Sequence, residues 1–521
     1  MLATLVTAVV NGLRGELVRV EVDVAPGLPA CRIVGLPDAA LSEARERVRS
    51  AIRNAGFDYP ASRITVNLAP ADRKKSGAAY DLAIAVGILL ASGQIRNGGG
   101  PWALLGELSL SGELRSLAGV LPMITTLARS GHRRVAVPGA NHAEASLVEG
   151  VEAVALTGLD DAARLIAGPR GEVAARARRR TGVLVSSPRD RTSLRLAAPI
   201  EPVDLAEIRG QHHARWALEV AIAGGHNLLL VGPPGAGKTL LARSIPGLLP
   251  PLADDEALDV AVIESVAGML RGADLSRRRP FRAPHHTSSY AALVGGGPQL
   301  LPGEATLAHR GVLFLDELAE FDRTALDALR EPLEEGLITI ARARGRVRYP
   351  ARFQLVAAMN PCRCGHYGDP EQQCRCQHGE AERYVARVSG PFLDRIDLRV
   401  EMHRVPPAEL LARNAGENSA EVGRRVAAAR LLQQARSPGV ANAALPGSRL
   451  DAVCAMAAPT RAVLTELAAT ARMSARGVHR VLRVARTIAD LAGRPAVSDE
   501  DLLAAATLRQ PPAAMAGPRA A

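Results

Sequence analysis

The segment that most constrains the fold is Gly232–Thr239, GPPGAGKT, which fits the pattern G-x-x-x-x-G-K-[ST]. It follows the apolar run 228–231 and precedes a helical run that starts at Leu240. A strand, a glycine-rich turn and a helix in this order place backbone N–H groups and a helix N-terminus around the α and β phosphates of a nucleotide. The flanking strand and helix disfavour an ordinary glycine-rich turn. We therefore expect these phosphate-binding residues: Gly232, Pro233, Pro234, Gly235, Ala236, Gly237, Lys238, Thr239 and Leu240.

Lysine is rare in this chain, and its position in the motif is informative. Of 64 basic residues, only Lys74, Lys75 and Lys238 are lysine. A compact, rotatable ammonium can reach the β and γ phosphates, whereas a planar guanidinium is wider and orients differently. Lys238 is thus explained by phosphate binding, and Thr239 supplies a hydroxyl for Mg²⁺. Lys74 and Lys75 receive no role.

Two more apolar runs end in polar residues suited to hydrolysis. VLFLDE at 312–317 places Asp316 where it would hold Mg²⁺ and Glu317 where it would polarise the attacking water. Acids at strand ends are common, so this run alone is a weak signal. The run Gln354–Met359 ends at Asn360, which could orient that water. Three strand ends converging on one nucleotide predict hydrolysis of ATP.

Length and composition divide the chain. A length of 521 residues favours roughly three domains or slightly more. We expect an α/β domain at 1–168, a basic linker at 169–200, a nucleotide-binding α/β core at 201–402, a helical domain at 403–510, and a disordered tail at 511–521. Within the helical domain, Ser498 followed by Asp501 predicts a helix start. The absence of a long apolar run or a leader pattern favours the cytoplasm, without a membrane partner.

The charge balance favours a polyanionic partner. The formal charge is +11, and Arg176 and Arg178–Arg180 form a cluster, although a solvated basic linker explains that cluster equally well. Aromatic residues make up only 3% of the chain, which excludes base stacking as the main mode of nucleic-acid contact.

Four of the six cysteines lie close together as C-x-C-x9-C-x-C. Four thiolates suit tetrahedral Zn²⁺, and glycines in the intervening loop could bring the two pairs together. The alternative is a loop with four reduced thiols, because C-x-C is less typical of zinc sites than C-x-x-C. His366 and His378 are substitute ligands. The predicted metal ligands are Cys362, Cys364, Cys374 and Cys376.

Longer motifs make a family resemblance specific. These are FRAPHHTSSYAALVGGG, LPGEATLAHRGVLFLDELAEF, VAAMNPCRCG, SGPFLDRIDLRVE and ARGVHRVLRVARTIADLA. Together they resemble the ComM/YifB family of magnesium-chelatase-like AAA+ ATPases, from the N-terminal segment to about Gln510. The resemblance implies an AAA+ P-loop core of the helix-2-insert type, a helical C-terminal lid, a homo-hexameric ring, and an ATP-driven helicase that migrates DNA branches.

The resemblance also assigns residues outside the phosphate loop. Arg395 in LDRID resembles the arginine finger that reaches a neighbouring subunit's γ-phosphate, and Arg476 in SARG resembles the second sensor arginine. The alternatives are pairing of Arg395 with Asp394 or Asp397, and solvation of Arg476 on a helix face, where Arg480 and Arg483 compete with it for the sensor role. His285 and His286, in the PHHT segment, are interpreted as insert or interface residues, with catalysis a minor option.

The N-terminal part resembles a Lon-protease-like (S5-like) α/β domain. Alignment by motif places Ala79 at the position of the catalytic serine and Leu121 at the position of its lysine. Without a nucleophile and its base, acyl chemistry is excluded, so this domain is expected to be a scaffold that forms the ring or guides DNA.

The segment LITIARARGRVRYPARF at 337–353 bears on the substrate. Its arginines recur with period two around a turn at Gly345, which predicts a charged hairpin. In helix-2-insert ATPases this position corresponds to a hairpin that enters the central pore, where single-stranded or branched DNA would pass. An ordinary surface hairpin is the alternative. The candidate DNA contacts are Arg342, Arg344, Arg346 and Arg348.

The sequence therefore favours an ATP-dependent DNA motor acting in recombination or natural transformation, with ATP and Mg²⁺ as cofactors and a structural Zn²⁺. A magnesium-chelatase-type subunit that drives metal insertion is one rival, and a DNA-binding assembly or regulatory protein without motor activity is another.

Overall fold

A computed structural model describes residues 1–35, 39–70, 78–169, 202–270, 272, 274–297, 300–342, 345–369, 371–410 and 416–510. Several predicted features lie outside these residues: the expected linker apart from residue 169, the tail, the arginine cluster at 176–180, Lys74, Lys75 and Arg344. Packing divides the chain into two units. The first comprises Met1–Thr192 and Ala257–Ser276, and the second comprises Ser193–Glu256 and Arg277–Ala521.

The first unit is an α/β structure. Its strands are β1 (Leu2–Asn11), β2 (Arg14–Ala25), β3 (Ala30–Val34), β4 (Arg63–Ala69), β5 (Ala103–Leu104), β6 (Glu107–Leu108), β7 (Leu114–Arg115), β8 (Arg134–Pro138) and β9 (Glu152–Leu156). Its helices are α1 (Ala39–Asn54), α2 (Asp81–Ala91), α3 (Val120–Arg129), α4 (His142–Ala145) and α5 (Leu159–Ala167). The main sheet has the order β3-β4-β2-β1-β5-β8-β9, and it is mixed because β1 and β4 both pair antiparallel with β2.

The positions compared with a protease dyad are in the core of this unit. Ala79 and Leu121 are both buried. The backbone N–H of Leu121 donates to the Glu144 carboxylate at 2.9 Å. A methyl group and an isobutyl group occupy these two positions, so they supply no nucleophile and no base.

The second unit contains a parallel sheet and the expected C-terminal helices. Its strands are β10 (Leu228–Val231), β11 (Phe281–Arg282), β12 (Gly295–Gly296), β13 (Leu301–Pro302), β14 (Val312–Leu315), β15 (Leu337–Arg342), β16 (Gly345–Pro350), β17 (Gln354–Met359) and β18 (Leu398–Glu401). The main sheet has the order β11-β14-β17-β10-β18, and every pairing in it is parallel. Strands β10, β14 and β17 are entirely buried, as apolar runs covered on both faces should be.

The remaining helices lie before, among and after these strands, and the last of them form the C-terminal region. Most of the helix at Asp254–Val266 groups with the first unit. Helix α6 (His212–Gly224) precedes β10, and the others are α7 (Lys238–Arg243), α8 (Asp254–Val266), α9 (Tyr290–Val294), α10 (Glu304–Leu307), α11 (Arg323–Ala328), α12 (Arg330–Glu335), α13 (Glu380–Val385), α14 (Gly390–Leu393), α15 (Pro407–Leu410), α16 (Ser419–Arg436), α17 (Gly447–Cys454), α18 (Ala458–Thr470), α19 (Ala475–Leu491) and α20 (Asp499–Thr507). The expected start at Ser498 is a capping box with Asp501. No helix in the described ranges combines the length and the apolar character that crossing a bilayer requires.

Candidate active site

The three polar strand ends predicted from sequence lie at one edge of the second unit's sheet. Val231 pairs with Met359, and Leu315 pairs with Ala357, so β10, β17 and β14 are neighbours whose carboxyl ends face the same way. Strand β17 is followed by Asn360 and then by Pro361. Proline has no backbone N–H to donate to a neighbouring strand, so the strand cannot continue through it. The carboxyl edge of a parallel sheet is where open α/β folds bind ligands.

Lys238, the first residue of α7, is held over the phosphate loop by three acceptors. Its ammonium donates to the carbonyl oxygens of Gly232 and Pro233 at 2.7 and 2.9 Å and to Asn360 Oδ1 at 3.0 Å. These match the three donors of an ammonium. Burial lowers the pKa of Lys238 to about 8, although the charges of Asp316 and Glu317 act to raise it. Phosphate oxygens are acceptors of the same kind, so the loop presents Lys238 in a geometry suited to an anion.

Thr239 and Asp316 form the candidate magnesium ligands. Thr239 Oγ1 donates to Asp316 Oδ2 at 2.6 Å. Adjacent oxygens of an octahedral Mg²⁺ shell are about 2.9 Å apart, given metal–oxygen distances of about 2.0–2.1 Å. A hydroxyl and a carboxylate at this separation fit two neighbouring positions of such a shell.

Glu317 adopts a left-handed backbone conformation at the end of β14. Its φ is +53°, which costs a non-glycine residue on the order of 1 kcal/mol or more and tends to occur at functional sites. Its backbone N–H donates to Asp316 Oδ1 at 2.9 Å, and its Oε2 lies 2.8 Å from His286 Nδ1. The two acids that follow β14 therefore point to different partners, as one metal ligand and one base would require.

Two residues at this site were not assigned to it from sequence. His286, for which catalysis is only the minor option in the sequence interpretation, contacts Glu317. Gln211, just before α6, donates through Nε2 to the carbonyl oxygen of Ala236 at 3.0 Å and so supports the phosphate loop. The two adjacent histidines of the PHHT segment are a sequence signal for a functional role of His286, because the chain has only 12 histidines. Gln211 carries no comparable signal.

The two arginines assigned by resemblance lie in different settings. Arg395 is mostly buried, and its guanidinium contacts Glu334 Oε1 at 2.6 Å and the carbonyl oxygen of Pro391 at 2.6 Å. Its ionic partner is therefore Glu334, whereas Asp394 or Asp397 was the expected alternative. Arg476 is exposed in the first turn of α19. Its competitor Arg480 lies 3.6 Å from Asp397.

The cysteine loop brings its four thiols together. The Sγ atoms of Cys362, Cys364, Cys374 and Cys376 all lie within 4.8 Å of one another. Burial acts to raise the pKa of Cys364, but backbone amides of His366 and Arg375 and the neighbouring thiols Cys362 and Cys374 lower it to about 6. His366 faces Asp369 and His378 is exposed. Thiolates in this arrangement are suitable donors for Zn²⁺.

The arginine segment is an antiparallel hairpin. In its register, Arg342 pairs with Gly345, Ala341 with Arg346, and Thr339 with Arg348. Along β16 the exposed residues Arg346 and Arg348 alternate with the buried residues Val347 and Tyr349. One face of β16 is thus in the core, and the other presents two guanidiniums to solvent.

Comparisons with known proteins cover most of the chain. The families described as magnesium chelatase, subunit ChlI, as subunit ChlI of Mg-chelatase, and as magnesium chelatase, subunit ChlI C-terminal match residues 204–410, 20–141 and 416–509. An uncharacterised protein of Mycobacterium tuberculosis is 45% identical over 512 residues, which is 96% of this chain and 97% of that protein.

Two named relatives are similar over nearly the whole length. YifB of Escherichia coli, itself described as uncharacterised, is 42% identical over 501 residues, covering 96% of this chain and 95% of that protein. Competence protein ComM of Haemophilus influenzae is 43% identical over 485 residues, covering 92% of each. The chain therefore belongs to the ComM/YifB family of magnesium-chelatase-like AAA+ ATPases.

Proposed function

We propose that this protein is an ATP-driven DNA motor, a cytoplasmic homo-hexameric helicase that promotes branch migration in recombination or natural transformation. Membership of the family implies an ATPase that uses ATP and Mg²⁺. The observation that carries the ATP-driven part of the proposal is the convergence of Lys238 with Asn360, and of Thr239 with Asp316, at the carboxyl edge of one parallel sheet.

In the proposed mechanism, each residue has a separate task. Bound Mg²⁺ would neutralise charge on the β and γ phosphates. Thr239 and Asp316 would hold it, and Lys238 would bind the same phosphates. Asn360 would orient the attacking water and Glu317 would accept its proton. Arg395, from a neighbouring subunit, would stabilise the charge that develops on the γ-phosphate, and Arg476 would sense the nucleotide from the lid.

The hairpin β15–β16 is the proposed DNA contact. Its exposed arginines, Arg346 and Arg348, are flanked in sequence by buried side chains that fix the hairpin on the core. Arg342 and Arg344 complete the proposed set. Guanidiniums that bind phosphates hold a strand without reading its sequence, which suits a motor that moves along any DNA.

The remaining parts have supporting roles in this proposal. The core would be of the helix-2-insert type, and the first unit would be a Lon-protease-like scaffold without peptidase activity. The four cysteines would bind one structural Zn²⁺. The similarity to competence protein ComM over 92% of the chain favours a function on DNA over metal insertion into a porphyrin. The complete set of hydrolytic residues disfavours a regulatory protein without catalysis.

The test compares Arg346→Ala/Arg348→Ala with wild type. DNA affinity should fall for all sequences alike, and the log–log salt slope should decrease by about 0.9 per lost duplex contact, or about 0.7 on a single strand. Basal ATP hydrolysis should persist, while processing of a four-way junction should fail. The matched control is Arg424→Ala/Arg461→Ala, which removes two exposed arginines of the helical region.

Two outcomes would contradict the proposal. Junction processing at the wild-type rate by the hairpin variant would make the hairpin an ordinary surface feature. Wild-type ATPase that responds to a tetrapyrrole-binding partner, but not to single-stranded, duplex or four-way-junction DNA, would favour the chelatase alternative.

A further inference from the structure

We infer that the cysteine cluster is a zinc site that holds its loop against the phosphate loop, so that ATP affinity depends on the bound metal. This inference rests on the proposed nucleotide site at Lys238 and Asn360. It concerns a coupling between two sites of the second unit, and it requires no DNA.

The dimensions of the cluster fit a metal better than a disulfide. The Sγ separations are 3.4 Å for Cys362 and Cys364, 3.5 Å for Cys364 and Cys374, and 3.8 Å for Cys362 and Cys374. A disulfide bond is about 2.05 Å long. A tetrahedral ZnS₄ site with Zn–S distances of about 2.3 Å has sulfur–sulfur edges of about 3.8 Å. The backbone N–H of Arg375 also donates to Cys364 Sγ at 3.4 Å, which stabilises a thiolate there.

The metal ligands are joined directly to a residue of the nucleotide site. Cys362 is fully buried and lies two residues after Asn360. Asn360 Oδ1 accepts a hydrogen bond from Lys238 Nζ at 3.0 Å. Fixing the Cys362 sulfur in a metal site therefore restrains the backbone that positions Asn360.

A second contact joins the loop to the phosphate loop itself. Gly365 has a φ of +87°, and a Cβ at this position would lie 2.4 Å from Pro234 Cδ and 2.8 Å from Pro234 Cγ. The backbone of Gly365 thus packs directly against Pro234, within the GPPGAGKT segment. Displacement of the Cys362–Cys364 turn would leave the phosphate loop without this support.

The other contacts of the described loop residues are short-range hydrogen bonds and ion pairs, such as those of Glu371 with Asp369 and of Arg363 with Glu380. Among the described residues of the loop, no helix or strand occurs between β17 and α13. Asp369 lies 3.5 Å from Arg404 Nε and 3.4 Å from His366 Nδ1. A polar loop without backbone ladders has little apolar burial to offset its ordering entropy, so the four metal–sulfur bonds would supply most of its stability.

The first experiment measures metal and nucleotide together. Protein purified without added zinc should contain about one Zn²⁺ per chain. Cys364→Ser/Cys374→Ser should lose the metal and bind a fluorescent ATP analogue on the order of tenfold more weakly. Cys31→Ser, which alters a half-buried thiol of the first unit, should retain both properties. A zinc-free wild type, or a folded zinc-free variant with wild-type affinity, would overturn the inference.

The second experiment separates the coupling from the metal site. Gly365→Ala should keep its zinc but lose ATP affinity on the order of tenfold, because its Cβ would displace Pro234. Gly368→Ala is the matched control, since Gly368 also has a positive φ, +79°, in the same loop but would place its Cβ in open space. Equal affinities in the two variants would refute the coupling. A wild type that binds no nucleotide would instead refute the proposed ATP site.

Discussion

The two main sheets of this protein are both covered by helices, but their polar residues are arranged differently. In the second unit, the parallel strands β10, β14 and β17 end together, and Lys238, Asp316 and Asn360 meet at that edge. In the first unit, antiparallel pairing of β1, β2 and β4 sends adjacent strand ends in opposite directions. There the buried Asp81 is paired with Arg47 inside the domain. A parallel sheet gathers the residues that follow its strands at one edge, whereas the Asp81–Arg47 pair joins helices α1 and α2 and involves no strand end of the mixed sheet.

The largest expected effect is at the parallel edge. Lys238→Ala should abolish ATP binding, because the phosphates lose their buried cation. Glu317→Gln should bind ATP but hydrolyse it on the order of 10²–10⁴-fold more slowly. Nucleotide binding and steady-state hydrolysis measure the two effects, with the exposed Glu331→Gln as control. If both variants hydrolysed ATP at the wild-type rate, the parallel edge of the second unit would not be the ATP site, and the functional contrast with the sheet of the first unit would be lost.

The second prediction concerns the buried pair of the first unit. Arg47 Nε and Nη2 donate to the two Asp81 oxygens at 2.8 and 3.2 Å. Arg47→Met would leave a buried carboxylate without its partner, and we expect a loss of about 3 kcal/mol in the free energy of unfolding at pH 8. Denaturant unfolding of the first unit measures it. ATP hydrolysis by the folded variant should be unchanged.

The same variant has an expected pH dependence. Burial raises the pKa of Asp81 to about 6, while the Arg47 charge opposes this rise. A raised carboxyl pKa means that the wild type loses stability as pH increases from about 4 to about 6. Removing Arg47 raises the pKa of Asp81 further, so the variant goes on losing stability above pH 6, where the wild type no longer does. The difference in free energy of unfolding between wild type and variant should therefore be small at pH 5 and grow above pH 6. A gap of equal size at pH 5 and pH 8 would show that the pair contributes through packing alone.

A smaller effect is expected at His286. Its Nδ1 lies 2.8 Å from Glu317 Oε2, and Glu317 is held at a positive φ. His286→Ala should lower kcat by about one order of magnitude with KM unchanged, since a displaced base costs rate rather than affinity. The control is His132→Ala, which alters a half-buried histidine of the first unit, because the ring of His285 lies only 4.1 Å from that of His286. Equal kcat values in the two variants would show that His286 has no role in ATP hydrolysis.

The smallest effect is the pH dependence of ATP affinity. Burial lowers the pKa of Lys238 to about 8, so its ammonium is lost as pH rises through that value, and a polyanion binds less well. Affinity should fall by about twofold between pH 7 and pH 8. Lys238→Arg keeps a charge that does not titrate in this range and should show no such slope, whatever its affinity.

The local signals were sufficient wherever near neighbours in sequence decide the structure. The apolar runs Leu228–Val231 and Gln354–Met359 are strands with the predicted bounds. The capping box at Ser498 formed as expected, because its hydrogen bonds span three residues. The glycine-rich loop with Lys238 follows from the same local geometry. The motifs also identified the family, since each one is a continuous segment.

Tertiary structure alone decided which distant side chains meet. Residues 257–276 pack with the first unit although the sequence around them belongs to the second. Arg395 faces Glu334, and His286 faces Glu317. The cysteine spacing allowed either separate thiols or a cluster, and only the path of the loop brought the four sulfurs within 4.8 Å. A contact between residues far apart in sequence depends on where the backbone folds back. Residue type and spacing constrain this path only weakly, because many loop conformations satisfy the same pattern.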